Sequence, residues 1–261
     1  MSVGTAAQSA AGPAGALDAE RGAAGAGGLP PGFGVDVADA ALALARRFAH
    51  GGTLWCFAPA WPAHAHHVAV EFVHPVVVGT RALPAVAVSA EAGVAGLRTL
   101  CRAGDALVVV ASSEEPAARR ALARAPAWGL TTIWIGAGPR PAPGAADHVL
   151  WWEGEVPSQA AHTGRFVLSY HLLWELTHVC FEHPGLLEEP QVCSGPACVT
   201  CGDEGRLVEV LRLGEGGAVL VRAATGLEWA DASLVEGVSP GSLVLVHAGS
   251  VLTVLAEGSG E

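Results

Sequence analysis

The chain has 261 residues, 51% hydrophobic and only 15% charged, with 14 basic residues, all of them Arg, against 25 acidic ones. A net charge of −11 leaves no basic footprint for DNA or RNA. No apolar run approaches the roughly 18 residues of a membrane-spanning helix, no basic segment leads into an apolar one as in a secretory signal, and the expectation is a cytoplasmic protein of one large or two small domains.

Residues 1–34 are mostly Ala and Gly without apolar periodicity, the composition of a disordered leader. A helical pattern opens near Asp39 and runs through Leu42, Leu44 and Phe48 to the stop at Gly51-Gly52. Short apolar runs at 53–58, 84–89, 106–111, 131–135 and 148–151 then alternate with helical stretches at 63–72, 92–102 and 116–128. Buried strands alternating with helices predict a parallel sheet with helices on both faces, an α/β domain over 35–181 closed by a long helix at 158–180. Residues 182–197, with Pro184, Gly185, Pro190, Gly195 and Pro196, have linker composition. From 198 to 261 the texture changes to short strands at 207–213, 218–222, 227–230 and 243–248 between Gly-rich turns, which predicts a small all-β barrel.

Three segments of the first domain carry a resemblance. Ala65-His66-His67-Val68-Ala69-Val70-Glu71-Phe72 is similar to the Ala-Gln-His-x-Ala-x-Glu helix of phosphoheptose isomerases, members of the SIS family of sugar-isomerase domains. Gly104-Asp105-Ala106-Leu107-Val108-Val109-Val110 resembles the strand before that family's Ser-rich loop. Gln159-Ala160-Ala161-His162 resembles the Gln-x-x-His of its last helix, and Tyr170-His171-Leu172-Leu173-Trp174-Glu175-Leu176 offers a second placement for the last-helix His, further along. The resemblance implies an SIS-like domain that forms homo-oligomers, with His67, Glu71, Gln159 and His162 as metal ligands or acid/base groups. If the protein is an isomerase, Glu71 is the base and His162 the acid.

The residues themselves bear on that reading in two ways. His67 and Glu71 stand i, i+4 on one helix face, a spacing that lets both bind one ion, and His64 and His74 continue that face. Packed, hydrogen-bonded helix residues are the equally open alternative. The loops that hold phosphate in the family are altered: Ala58-Pro59-Ala60-Trp61-Pro62 loses two N–H donors to proline. In Ala111-Ser112-Ser113-Glu114-Glu115-Pro116, two carboxylates oppose a dianion.

The second half carries another resemblance. Gly205-Arg206-Leu207-Val208-Glu209-Val210 is similar to the segment that follows the N-terminal Cys of HypC/HupF-family hydrogenase maturation chaperones. Val238-Ser239-Pro240-Gly241-Ser242-Leu243-Val244-Leu245-Val246-His247-Ala248-Gly249 is similar to that family's Val-Leu-Val-His-x-Gly signature, and Ala232-Ser233-Leu234-Val235 to its central strand. The resemblance implies an OB-like barrel that carries an iron fragment with cyanide and CO ligands. Cys198 or Cys201 and His247 would be the ligands, and a maturation partner and the hydrogenase large subunit the partners. A thiolate is a strong soft ligand for such iron. Cys193, Cys198 and Cys201 with His183 or His178 also allow a zinc site, though the second Cys-x-x-Cys is missing. A redox-inert Cys pair and a core-edge His247 are the plainest alternatives.

Two functions therefore stand side by side. One is an accessory factor for NiFe-hydrogenase maturation, with the SIS-like half as a docking or ligand-sensing module. The other is a metal-dependent sugar-phosphate isomerase, in which proton transfer between adjacent carbons needs an acid and a base on one substrate.

Overall fold

The computed structural model of the chain describes residues 28–77, 79–153, 159–188 and 205–258, with the side chains of 159–163 outside that description. Its first half is a five-stranded parallel sheet: β1 (Leu54–Phe57), β2 (Ala85–Val88), β3 (Ala106–Val110), β4 (Thr131–Ala137) and β5 (His148–Trp152), in the spatial order β2-β1-β3-β4-β5. The order reverses between β1 and β3, and ligands of open α/β sheets bind beyond the strand ends at such a point.

Alternation along each strand divides the core into two layers. Leu54, Cys56, Val108, Val110, Ile133 and Ile135 face α1 (Phe33–Ala49), α2 (Pro62–Val73) and a long α5 (Gln159–Glu182). Trp55, Phe57, Leu107, Val109 and Trp134 face α3 (Gly93–Leu100) and α4 (Pro116–Arg124). Burial on both faces is why these strands read as unbroken apolar runs. The helix expected near Asp39 already begins at Phe33, behind a left-handed Gly32. The helix expected over 116–128 gives way to a 3₁₀ turn at Ala125–Trp128, where Pro126 supplies no N–H. Gly136 in β4 leaves no room for a Cβ, because the Trp151 ring and the Ala111 carbonyl fill that space.

The second half is a closed five-stranded barrel: β6 (Arg206–Leu213), β7 (Ala218–Ala223), β8 (Gly226–Asp231), β9 (Leu243–His247) and β10 (Ser250–Ala256). β6, β7 and β8 form an antiparallel meander, β9 pairs with β6 and β10, and β10 closes against β8 in parallel, an OB-like arrangement. The β9–β10 hairpin turns at Ala248-Gly249, both at positive φ (49° and 82°), as a tight two-residue turn requires. β10 lies beyond the last of the expected strands, and the segment 232–235, expected as a central strand, is a turn closed by the Val235 N–H on the Ala232 carbonyl. Leu234 is 85% exposed there, so nothing pulls this segment into the sheet.

The barrel is docked on the α3–α4 face through buried polar groups. Glu209 on β6, 2% exposed, accepts from Trp128 Nε1 at 2.8 Å and Arg98 Nε at 3.1 Å, with Arg124 at 3.6 Å. Arg222 on β7 donates to the carbonyls of Arg98 and Cys101, each at 2.8 Å, and Arg124 to that of Gly241 at 2.7 Å. Leu243 joins the core of the first half. Among the described residues, no helix is long and apolar enough to cross a membrane.

Candidate functional site

α2 leaves the end of β1, beside the reversal point of the sheet, with Pro62 at its first position. Its apolar residues Ala65, Val68, Ala69 and Phe72 bury one face, and His67 and Glu71 emerge one turn apart at the margin. α5 crosses next to α2 and brings Tyr170 and His171 to the same margin.

Three side chains converge there. Glu71 Oε1 lies 3.1 Å from His67 Nε2 and 3.3 Å from His171 Nε2, and the two imidazole nitrogens are 3.4 Å apart. The side chains of His67, Glu71 and His171 are 40, 17 and 45% exposed, so the group opens to solvent on one side. Donors about 2.1 Å from one ion stand about 3.0 Å apart at right angles and about 3.4 Å at the tetrahedral angle. The observed separations fall in that interval, so the spacing of the three donors is that of ligands sharing one divalent ion. Two imidazoles and one carboxylate with open positions suit zinc or ferrous iron. When bound, such an ion acts as a Lewis acid toward a carbonyl or phosphoryl oxygen.

Beneath the three donors is a buried row of polar rings. Tyr170, 1% exposed, has its hydroxyl 2.7 Å from His67 Nδ1 and 3.4 Å from His64 Nδ1. Burial first, and the Glu71 carboxylate second, push the Tyr170 phenol up and keep it protonated. Burial, then His67, push the His64 imidazole below its ordinary range. Trp61 and Phe166 pack on His64, so this residue, expected to continue the ligand face, is a core group instead.

His67 and Glu71 are therefore brought together with His171. Gln159 and His162 lie at the start of α5, with side chains outside the described residues. Nine residues of helix, about 13.5 Å, separate His162 from His171. Of the two placements for the last-helix His, the described donors contain the later one. Tyr170 belongs to the same segment of the sequence, one residue before His171. A phenol one residue before a ligand is a signal that becomes readable once α2 and α5 are known to touch. His74 ends α2 and stands outside the cluster.

The neighbouring strand ends have a different character. Glu115 turns its carboxylate onto the first turn of α4, accepting the Ala117 N–H at 3.3 Å ahead of Pro116. A helix N-terminus is where an anion would bind, and here the chain supplies its own.

In the barrel, His247 ends β9, half-buried and paired with Ser250 across the hairpin turn. Cys193, Cys198 and Cys201 lie outside the described residues. His178, one candidate to complete a zinc site with them, has its ring nitrogens 2.8 and 3.0 Å from the carbonyls of Trp174 and Arg81 and serves to tie α5 to the loop before β2.

No protein-family model and no curated protein matches the chain. Among solved structures, the chain is similar to a phosphoheptose isomerase from Francisella tularensis, with 19% identity over 64% of this chain and 94% of that one and a TM-score of 0.48. It is similar also to a phosphoheptose isomerase from Neisseria gonorrhoeae, with 19% identity over 63% and 93% and a TM-score of 0.44.

Proposed function

We propose that the protein is an accessory factor in NiFe-hydrogenase maturation, whose barrel carries or delivers an iron fragment bearing cyanide and CO. Cys198 or Cys201 and His247 hold this cargo, a maturation partner and the hydrogenase large subunit exchange it, and the SIS-like half serves docking or ligand sensing. One observation supports the reading above others. The two segments that resemble the chaperone family, far apart in sequence, are neighbouring strands β6 and β9 of one closed barrel, with Arg206 opposite Val246 and Glu209 opposite Leu243. Continuing that register sets Gly205 alongside His247. Cys201 is four residues before Gly205 in sequence, a span of at most about 14 Å. The test is hydrogenase metallation in cells that carry Cys198→Ser, Cys201→Ser, the double variant or His247→Ala. The double variant abolishes maturation on this reading, and normal maturation in all four strains refutes it.

A second reading, metal-dependent isomerisation of a sugar phosphate, draws on the triangle of His67, Glu71 and His171. In it Glu71 is the base and His162 the acid that move a proton between adjacent carbons of a bound carbonyl sugar, with the ion at His67. The self-capped N-terminus of α4 counts against it, since the phosphate would meet Glu115 there. Turnover of sedoheptulose 7-phosphate by purified protein with zinc, lost in Glu71→Gln, would put this reading first.

A further inference from the structure

We propose that Tyr170 is the positioning residue of the His67–Glu71–His171 group: its hydroxyl accepts the Nδ1 proton of His67 and so leaves the Nε2 lone pair of His67 facing the other two donors. The inference rests on reading that group as a divalent-metal site.

A neutral imidazole carries one N–H and one lone pair. His67 Nδ1 is 2.7 Å from the Tyr170 hydroxyl, and His67 Nε2 is 3.1 Å from Glu71 Oε1. Two neutral arrangements satisfy the Tyr170 contact, but only the first places a proton between His67 and Glu71; the second sets two acceptors face to face and needs a cation between them. With the proton on Nε2, His67 donates to Glu71, Tyr170 donates to Nδ1, and no lone pair of His67 points at the triangle. With the proton on Nδ1, His67 donates to the phenol oxygen and the Nε2 lone pair is presented beside Glu71 and His171.

The second arrangement needs an outlet for the phenol proton, and the structure provides one. His64 Nδ1, on a buried ring, lies 3.4 Å from the same oxygen. Tyr170 turns its O–H from His67 to His64, His67 releases its Nε2 proton to solvent and takes up one proton from solvent at Nδ1, and His64 holds its own proton on Nε2. Each ring and the phenol hold one proton before and after, so the exchange balances without a net change of charge. A cation in the triangle requires the Nε2 lone pair and selects this arrangement. Outer partners of this kind orient metal-binding imidazoles and set their tautomer.

Packing makes the role separable from folding. The Tyr170 ring meets His67 and His64 edge-on, at centroid distances of 5.0 and 6.0 Å. Tyr170→Phe keeps those ring contacts and removes only the oxygen.

The experiment is zinc titration of the full-length protein against a chromogenic chelator, for wild type, His171→Ala and Tyr170→Phe. Nitrogen-15 NMR of the histidine rings is recorded with and without zinc. The expected result is zinc binding by wild type, its loss in His171→Ala, and affinity about ten- to hundred-fold weaker in Tyr170→Phe. In zinc-loaded wild type the His67 proton is on Nδ1. If wild type binds no zinc, or His171→Ala binds it equally well, the metal-site reading falls and takes this inference with it. If His171→Ala loses zinc while Tyr170→Phe matches wild type, or if loaded wild type keeps the His67 proton on Nε2, the role of Tyr170 alone is refuted.

Discussion

The indole N–H of Trp128 donates to Glu209 Oε2 at 2.8 Å across the seam between the two halves, with Trp128 wholly buried and Glu209 2% exposed. A carboxylate taken out of water needs several donors to offset its lost hydration. Arg98 on α3 adds a second hydrogen bond at 3.1 Å, and Arg124 on α4 an ion-pair contact at 3.6 Å. The barrel is thereby held by a polar clasp inside an apolar contact, so its position relative to the sheet is set by directional bonds.

Breaking that clasp should be costly. Glu209→Ala leaves the Trp128 N–H without a partner and two guanidinium groups without their anion. Because Arg98 is 40% exposed and regains water, the expected loss is about 2–3 kcal/mol, at the low end for a broken buried pair. That corresponds to a melting temperature lower by roughly 5–10 °C for a chain of this size. Thermal unfolding followed by near-ultraviolet circular dichroism reads it, and Trp128→Phe should lose about 2–3 kcal/mol, because it removes a hydrogen bond to a charged group and leaves a cavity where the larger ring is buried.

Stability should fall on the acid side. Burial holds the His64 and His148 imidazoles below their ordinary value of 6.5. As the pH drops below about 6.5, the unfolded chain takes up protons at these positions that the folded chain refuses. Unfolded protein then binds more protons, so the stability gained by keeping both rings neutral declines from that pH downward. Melting temperatures between about pH 7.5 and about pH 5.5 should decline, and His64→Gln with His148→Gln should flatten the slope.

The N-terminus of α4 offers a direct test of what its own carboxylate cap excludes. Glu115→Ala removes a cap and should cost about 1 kcal/mol. Combined with Glu114→Ala it also removes two negative charges from a site built of helix N–H groups. Inorganic phosphate should then bind about tenfold more tightly than to wild type, as measured by calorimetry.

Packing at β4 is equally specific. Gly136→Ala drives a methyl group into the Trp151 ring and the Ala111 carbonyl, so a loss of about 3 kcal/mol or more, or insoluble protein, is expected. Gly34→Ala in α1 meets open space and should raise stability by about 0.5–1 kcal/mol. Parallel chemical denaturation of the two variants separates crowding from helix propensity.

Local pattern carried the sheet. The apolar runs at 53–58, 106–111 and 131–135 became β1, β3 and β4 within a few residues, because a strand buried on both faces is apolar at every position. The i, i+4 pair of His67 and Glu71 was equally readable, since helical spacing depends only on neighbours in the chain. The weak strand β10 was not, because most of its residues, Leu252 and Leu255 among them, stay exposed without alternation, and its place is set by closure of the barrel.

Composition, the two-part architecture and half of the candidate site thus follow from residues close together in sequence. The choice of His171 as the third donor, the row from His67 through Tyr170 to His64, and the burial of Glu209 against Trp128 depend on which helices and strands touch. Pairings across about 80–110 residues leave no periodic trace, because they are selected by the packing of whole faces and by the need of buried polar atoms for partners.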